Sequence, residues 1–450
     1  MLGFAACAAP AERRPNLLLI SVDTLRADRL ACHGGPADTG VALCAIAESG
    51  YRYEWALSPA PSTAPAIASL LTSRYPAYHG VGESAQTALA SEALTLAELL
   101  REAGYRTGAV IANPVLAGAR GLEQGFDVYD AELNRSERNR PGYLERDAEH
   151  ATDAALAWLG GGRGPWFLWI HYQDPHGPYE PPGAGPARDA AGSTPLRALS
   201  DHSGRGGIPL YQRLGEARAA ASYERRYLDE IRYLDGQIER LLERVHELPG
   251  GTGIALTADH GEAFGEDGYW FAHGHSVGLD QLHVPLLWRP PGTPRAGPSH
   301  AIAAPVSTLD LAPTLLEAAG IALPESFQGR PLPRDAASAV ARPFFAEQRL
   351  RAAVVLGSRY LARDRRPFSD PVADPISGGW LLPIAARTAA LEGAATGVAY
   401  AAAGASPRDA ALESLLADYL ARSAHATPSG PAVELSPEAR AALSALGYLE

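Results

Sequence analysis

The sequence predicts an α/β protein with a large, mostly parallel sheet sandwiched by helices. Uninterrupted apolar runs, such as NLLLISVD at residues 16–23, are typical of strands buried on both faces, as in parallel sheets. Segments with helical spacing of apolar residues lie between these runs. This alternation implies right-handed crossovers within one sheet.

The elements follow in order along the chain. Five apolar runs are predicted to be strands: 16–23, 107–113, 166–174, 253–259 and 283–289. Three amphipathic patterns are predicted to be helices: 93–104, 224–247 and 310–320. A further helix is expected to begin at Pro65, because proline suits the first helical position.

Changes in composition predict the domain organisation. Residues 14–334 carry the strand and helix alternation and form the main domain. Within it, residues 183–222 are rich in Gly, Ala, Arg and Pro without clear periodicity, which indicates a surface insertion. Residues 335–450 predict a smaller α+β subdomain with short antiparallel strands, Ala-rich helices, a polar linker and a terminal helix.

Charge and cysteine content exclude several classes of protein. The chain has 450 residues and a net charge of −12, which argues against non-specific nucleic-acid binding. No apolar run reaches the roughly 18 residues of a transmembrane span. The three cysteines, Cys7, Cys32 and Cys44, suit neither a disulfide framework nor a zinc motif, so isolated thiols are expected.

The N-terminal residues 1–13 are small and apolar, then polar. They are similar to the tail of a lipoprotein signal in which Cys7 is acylated, although a basic region and most of an apolar core are missing. We therefore expect export to the cell envelope or periplasm, with a lipid anchor at Cys7. The alternative is an unstructured leader on a cytoplasmic protein.

Polar residues follow the predicted strands at their carboxyl ends, where ligands bind in open α/β sheets. A single residue of this kind is usually a helix cap or a turn former, but their convergence on one edge favours a functional site. Asp and His also ligate divalent metals at neutral pH. The candidates are Asp23, Asn113, Asp174, His176, Asp259 and His260, with His273 and His275 of the AHGH segment nearby.

Six ordered segments resemble the bacterial sulfatase family, which belongs to the alkaline phosphatase superfamily. The resemblance covers residues 14–334 strongly and the C-terminal part weakly. The segments are RPNLLLISVDTLRADRLACHG, ASLLTSRYPAYHGV, HYQDPHGPYEPP, LTADHGEAFGE, HGHSVGLDQLHVPLLWRPPG and VSTLDLAPTLLEAAGIALPESFQGRPL.

The resemblance implies a divalent metal bound by Asp23, Asp259 and His260. Calcium is the metal that family resemblance favours, and zinc or manganese would suit a site with more histidine. Asp174, His273 and Asn113 are candidates for a second metal site or for substrate binding, and the two-metal phosphodiesterases of the superfamily resemble this layout at Asp174 and His273.

The resemblance also implies roles around the ester. His176 would contact the departing or a non-bridging oxygen of the substrate. His275 lies where sulfatases often keep a lysine that acts on the leaving group, and Asn113 lies near the position of another family lysine.

The sequence departs from the family at the nucleophile. The frame set by Pro65 places Thr63 where a formylglycine sulfatase has Cys or Ser, and Ile67 where it has Arg. Threonine is not a formylglycine precursor, so formylglycine chemistry is not expected. A metal-bound threonine alkoxide at a helix N-terminus is a workable nucleophile. Helix capping by Thr63 is the structural alternative.

The sequence thus predicts a metal-dependent hydrolase of sulfate or phosphate esters, with Thr63 as nucleophile and His176 and His275 as further catalytic residues. The alternatives are a phosphodiesterase or headgroup phosphotransferase of the same superfamily, or an inactive homologue that binds an anion or glycan. The expected partner is an anionic ester: a sulfated or phosphorylated small molecule, glycan or lipid headgroup.

Overall fold

The computed structural model describes residues 14–83, 87–117, 120–162, 164–357, 359–364, 379–381 and 410–424. The strands are β1 (Asn16–Val22), β2 (Tyr51–Tyr53), β3 (Ala56–Leu57), β4 (Arg106–Ile111), β5 (Val128–Asp130), β6 (Arg135–Ser136), β7 (Leu144–Glu145), β8 (Trp166–Tyr172), β9 (Arg197–Ala198), β10 (Gly207–Ile208), β11 (Thr252–Ala258), β12 (His283–Val284), β13 (Leu286–Arg289), β14 (His300–Ile302), β15 (Val306–Ser307), β16 (Phe344–Glu347), β17 (Arg351–Leu356), β18 (Arg359–Asp364) and β19 (Gly379–Leu381).

The helices are α1 (Val41–Ala45), α2 (Thr63–Thr72), α3 (Pro76–His79), α4 (Leu96–Glu102), α5 (Pro114–Ala117), α6 (Ala148–Leu159), α7 (Ala220–Glu247), α8 (Leu279–Leu282), α9 (Leu311–Ala318) and α10 (Ala410–Ser423). They pack in two groups. Helix α7 packs against α1 and α6, whereas α2 packs against α3, α5 and α9. None of the helices in the described ranges combines the length and apolar character that crossing a bilayer requires.

An eight-stranded sheet forms the centre of the molecule, in the order β14-β2-β13-β11-β1-β8-β4-β5. Neighbouring strands from β11 to β5 are parallel, and β13 joins them antiparallel. The predicted α/β class with a mostly parallel sheet is confirmed. Every residue of β1 and of β8 is buried, which explains why these strands are apolar runs rather than alternating patterns.

The register of the three central strands aligns their carboxyl ends. Val22, the last residue of β1, pairs with Ala258 of β11 on one side and with Tyr172 of β8 on the other. Because adjacent strands lie about 4.8 Å apart, residues just beyond these ends are close neighbours in space. This edge of the sheet carries the candidate site.

The run 283–289, predicted as one strand, is two strands in different sheets. Pro285 separates β12, which pairs with β3 in a small sheet, from β13, which joins the central sheet. Proline has no backbone N–H to donate to a ladder, so the chain changes partner there.

Two helices begin earlier than the sequence predicts. Helix α2 starts at Thr63, so Pro65 is its third residue and not its first. Helix α7 starts at Ala220, so the last residues of the predicted insertion 183–222 belong to it. The rest of that insertion contains the short parallel pair β9 and β10.

The insertion packs onto the main domain through Tyr211 and Gln212. The Tyr211 hydroxyl and the Gln212 Nε2 both donate to the carbonyl of Phe271, at 3.0 and 3.1 Å. The Gln212 side chain also lies so close to Gly177 that any Cβ there would clash with it, at about 2.0 Å. This contact holds the insertion against the loop that carries His176.

The antiparallel strands expected after residue 335 are confirmed as a sheet in the order β16-β17-β18-β19. One face packs on Trp55, Leu57 and Leu282 of the main domain, and the other on α10. The leader with Cys7, the polar linker 425–435 and the terminal helix lie outside the described residues. The domain boundary near 335 stays a prediction.

The expectation of isolated thiols is wrong for two of the three cysteines, because Cys32 and Cys44 form a disulfide. A 3-10 turn (Ala31–His33) and α1 lie side by side and bring the two Cα atoms to 5.7 Å, within the range for bridging. An odd cysteine count predicts a free thiol somewhere, but it does not exclude one local pair.

Candidate active site

Three buried side chains converge at the carboxyl ends of β1, β8 and β11. Asp23 follows β1, Asp259 follows β11, and His171 is the penultimate residue of β8. One ligand atom from each lies within 4.8 Å of the other two. Asp23 Oδ1, Asp259 Oδ2 and His171 Nε2 are buried without hydrogen-bond partners. Such unpaired atoms are costly to bury, so their convergence fits a bound cation.

The electrostatics of this cluster also favour a cation. Burial raises the pKa of Asp23 to about 6, although His260 and Asn113 oppose that shift. Burial, followed by the charge of Asp23, raises the pKa of Asp259. A divalent cation between the two carboxylates would stabilise their charged forms.

Sequence reasoning missed His171, because a histidine inside an apolar strand resembles a core residue. In the structure its Nδ1 lies 2.8 Å from Ser21 Oγ, and Ser21 Oγ accepts a hydrogen bond from Trp169 Nε1 at 2.8 Å. These contacts orient the imidazole so that Nε2 faces Asp23, 3.7 Å from Oδ2. The signal in the sequence was a titratable residue within an otherwise buried run.

His260 lies beside the same carboxylates. Its Nε2 is 3.7 Å from Asp23 Oδ1 and 3.4 Å from Asp259 Oδ2. Its Nδ1 donates to the carbonyl of Gly261 at 2.9 Å, which assigns the proton to Nδ1 and leaves the Nε2 lone pair free. The structure therefore places His260 and His171 beside the two carboxylates, so the three residues that the resemblance implies as ligands lie together with His171, and their role as ligands stays a prediction.

Thr63 faces this cluster from the first position of α2. Its Oγ1 lies 3.3 Å from His260 Nε2. The N-cap is Ser62, which makes no side-chain capping bond, and its buried Oγ has no partner. The capping interpretation of Thr63 is therefore wrong: its hydroxyl points to the imidazole and not to the helix backbone.

Asn113 and Thr24 support the carboxylates. Asn113 Nδ2 donates to Asp23 Oδ2, and its Oδ1 accepts from the backbone N–H of Val115 at 2.7 Å. Thr24 has a φ of 56°, a left-handed conformation that is unfavourable for a β-branched residue. This conformation directs its N–H to Asp259 Oδ1 at 3.2 Å, and strain of this kind clusters at functional sites.

Two further histidines line the site next to His260. The rings of His260 and His273 are 4.5 Å apart, and those of His273 and His176 are 5.3 Å apart. Burial lowers the pKa of His273 to about 4 and holds the pKa of His176 well below its usual value. Both rings are neutral at pH 7, and His273 Nδ1 lies 3.2 Å from a carboxylate oxygen of Glu262.

His275 and Asp174 lie in different surroundings. The His275 ring stacks on Tyr269 at 5.2 Å. Asp174 interacts with Glu230 of α7 and with Arg135 of β6. Neither belongs to the group of ligand atoms around Asp23, so their predicted catalytic and second-metal roles stay predictions.

Comparisons with known proteins agree with this architecture. The sulfatase family model matches residues 15–321. The choline-sulfatase of Rhizobium meliloti is 28% identical over an alignment of 368 residues, and the match covers 69% of this chain and 69% of that protein.

Solved structures show the same fold. A phosphonate monoester hydrolase from Silicibacter pomeroyi superposes with a TM-score of 0.65 at 21% identity, over 92% of this chain and 96% of the other. A protein solved in complex with its substrate D-glucosamine-2-N,6-O-disulfate has a TM-score of 0.66 at 18% identity, over 92% and 98%. A further match at a TM-score of 0.53 is a member of the alkaline phosphatase superfamily from Vibrio parahaemolyticus.

A family match over more than half of the chain, together with this fold, establishes its membership. The chain belongs to the sulfatase family, and it is an ester hydrolase of that family.

Proposed function

We propose that this protein is a metal-dependent hydrolase of sulfate or phosphate esters in which Thr63 is the nucleophile. One observation carries the proposal: Thr63 Oγ1 lies 3.3 Å from the nitrogen of His260 that faces both Asp23 and Asp259. A nucleophile and a group of metal-ligating side chains that lie this close together can act on the same substrate atom.

The proposed ligands are Asp23, Asp259 and His260, with His171 as an additional donor. The unpaired Asp23 Oδ1, Asp259 Oδ2 and His171 Nε2 fit a divalent cation, and His260 Nε2 lies 3.7 and 3.4 Å from the same two carboxylate oxygens. A cation bound there lowers the pKa of the adjacent hydroxyl and neutralises charge on the transferring group. Two imidazoles among four donors favour zinc or manganese over calcium, which prefers oxygen ligands throughout.

Thr63 attacks the sulfur or phosphorus of the ester. The bond from Oγ1 to that atom forms as the bond to the departing oxygen breaks, and the hydroxyl proton is lost to solvent. The N-terminal turn of α2, which Thr63 opens, adds positive potential next to the transferred group. Water then cleaves the threonine ester and regenerates the hydroxyl.

His176 is placed to handle the departing oxygen, with His273 beside it. Each is a buried neutral imidazole at pH 7 and carries one N–H, which His176 can donate to the departing oxygen, whereas His273 donates its own from Nδ1 to Glu262 and therefore serves to position the site. Glu262 accepts from His273 Nδ1 and thereby fixes the ring orientation. His275, which the sequence placed in this role, is the more distant candidate along the same loop.

Substitution of Thr63 tests the proposal. Thr63→Ala should reduce turnover of an aryl sulfate or aryl phosphate by roughly 1000-fold or more, because the covalent step is lost. Thr63→Ser keeps the hydroxyl and should retain measurable activity. Ser62→Ala is the matched control, since its hydroxyl is equally buried and neighbouring but does not face His260.

The assay also separates the alternatives. Turnover by Thr63→Ala equal to that of the wild type would remove Thr63 from the mechanism. Activity confined to diesters, or product formed only with an alcohol acceptor, would identify a phosphodiesterase or a phosphotransferase. Anion binding without turnover of any ester in metal-loaded protein would identify an inactive homologue.

We also propose export to an oxidising compartment. The support is the disulfide between Cys32 and Cys44, since disulfides persist in the periplasm and outside the cell and are rare in the cytosol. Alkylation of protein prepared from periplasmic and cytoplasmic fractions, read by intact mass, tests this localisation. Free thiols at both positions in protein from its native compartment would contradict it.

A further inference from the structure

A cavity of about 270 Å³ lies at the far end of α2 from Thr63. It opens between the residues that follow α2, the loop around residue 330, the start of β16 and the last turn of α10. We call it the Arg–Tyr cavity and define it by six of its lining residues: Tyr75, Arg330, Arg342, Phe345, Tyr419 and Arg422. The ten residues of α2 extend about 15 Å, so the cavity is separate from the active site.

Three aromatic rings form one wall of this cavity. Phe345 and Tyr419 stack with their centroids 4.1 Å apart, and Tyr75 packs edge-on against both, at 5.7 and 5.6 Å. All three are buried, so the wall is ordered before any ligand arrives. Preordered aromatic surface is typical of ligand sites and reduces the entropic cost of binding.

Three guanidinium groups line the same space. Arg342 is ion-paired with Asp310, and the same carboxylate accepts the backbone N–H of Arg330 at 2.9 Å. Among the described residues, the side chains of Arg330 and Arg422 form no ion pair. Glu347, an acid next to the aromatic wall, accepts from the Tyr419 hydroxyl.

The cavity therefore carries more positive than negative charge in a chain whose net charge is −12. Like charges repel in the absence of a counter-ion, and a concentration of arginine in an acidic protein needs a reason. Planar guanidiniums match the oxygens of sulfate and phosphate groups. The volume is slightly below the usual 300–1,000 Å³ of small-molecule pockets, which limits the ligand to about one ring.

We propose that the Arg–Tyr cavity is a second ligand site, which binds a ring that carries a sulfate or phosphate group. The aromatic wall contacts the ring, and Arg330 and Arg422 contact the anionic group. This site binds without chemistry and does not depend on the role of Thr63.

Titration calorimetry with benzenesulfonate tests the proposal, because its carbon–sulfur bond is not an ester and is not hydrolysed. The test variant is Arg330→Gln/Arg422→Gln. The matched control is Arg101→Gln/Arg225→Gln, which removes two exposed arginines without ion pairs in the described part of the chain. Both double variants change the net charge equally, and thermal unfolding checks that both remain folded.

The wild type and the control variant should each bind one equivalent of the sulfonate in the cavity. The cavity variant should bind that equivalent at least tenfold more weakly. Binding at the active site is common to all three proteins and does not account for a difference. The same affinity and stoichiometry in the cavity variant would overturn the proposal. Equal binding of neutral phenol and of the sulfonate would also overturn it, because charge would then play no part.

Two further ligands distinguish whether the anionic ring that binds in the cavity is a free small molecule or the end of a polymer. A sulfated monosaccharide and a sulfated hexasaccharide present the same chemistry as a free product or as the end of a polymer. Tighter binding of the hexasaccharide, lost in the cavity variant, would identify the site as an anchor for a polymeric substrate. Equal binding of both would identify a site for small anions, and no cavity-dependent binding of either would contradict a sugar ligand.

Discussion

Two groups of buried carboxylates in this protein have opposite characters. One is the pair Asp23 and Asp259 at the ends of β1 and β11. The other, which we call the acid cluster, consists of Asp174, Glu145 and Glu230, on the loop after β8, on β7 and on α7. Burial is the largest influence on the pKa of every member of both groups.

The two groups differ in what lies opposite the carboxylates. Asp23 and Asp259 face the nitrogens of His171 and His260, and their ligand atoms converge. In the acid cluster, Asp174 and Glu230 share a hydrogen bond, which requires a proton on one of them.

The guanidinium of Arg135 offsets part of the charge of all three acids, and that of Arg140 acts on Glu145 as well. Burial raises the pKa of Asp174 to about 6, that of Glu145 to about 8 and that of Glu230 well above its usual value, so these carboxyls keep their protons to a higher pH than ordinary acids do.

In the described ranges, ligand atoms converge in the way a metal requires only around Asp23, His171 and Asp259. Buried acids thus indicate a metal site when their lone pairs point to one common position. In the acid cluster, a proton shared between two carboxyls stabilises the buried acids without a metal.

The strongest test of this comparison removes one carboxylate from each group. Asp259→Asn should lose tightly bound metal and reduce turnover by more than about 100-fold, the loss that even supporting residues of metal sites can cause. Glu230→Gln, which replaces an equally buried acid, should change neither the metal content nor the turnover by more than a few-fold. Elemental analysis after dialysis and turnover of an aryl ester are the measurements. An equal loss of metal from both variants would refute the distinction.

His171 provides a second test of the difference between the two groups, because its imidazole faces Asp23 and none of the three members of the acid cluster is a histidine. His171→Gln should weaken metal affinity by about 10- to 100-fold, measured by competition with a chelator. Ser21→Ala, which removes only the contact that orients the ring, should have a smaller effect in the same direction. If His171→Gln binds metal as tightly as the wild type, His171 is a core residue and not a ligand.

The acid cluster predicts a pH dependence of stability. In the folded protein its carboxyls keep their protons above the pH at which the unfolded chain loses them, so they stabilise the fold at low pH. In metal-loaded protein this contribution should decline as the pH rises from about 4 to about 8, by an amount on the order of several kcal/mol, because one unit of pKa shift corresponds to about 1.4 kcal/mol.

Glu230→Gln should flatten this decline, since glutamine cannot lose a proton. Chemical unfolding at several pH values measures it. Glu239→Gln changes an exposed residue of the same helix and should leave the wild-type profile unchanged. A profile for Glu230→Gln that is as steep as that of the wild type would assign the pH dependence to other groups.

Much of the site was predictable because it depends on residues adjacent along the chain. An acid that ends a buried strand lies at the carboxyl edge of a parallel sheet, which predicted the positions of Asp23 and Asp259. The helix after Ser62 followed from local signals, although its first residue was misplaced by two positions. The split at Pro285 and the pairing of Cys32 with Cys44 were missed, since both depend on contacts between distant or folded segments.

By itself, the sequence determined the α/β class, the buried strands and the polar residues at their ends, because apolar periodicity is a local property of the chain. Only the tertiary structure decided which of those residues meet. The order β11-β1-β8 places Asp259, Asp23 and His171 on adjacent strands, within reach of one ion. Asp174 follows the same strand β8 but turns to α7, so it shares a proton with Glu230 instead. Strand order and side-chain direction depend on the packing of the whole sheet, and no local pattern encodes them.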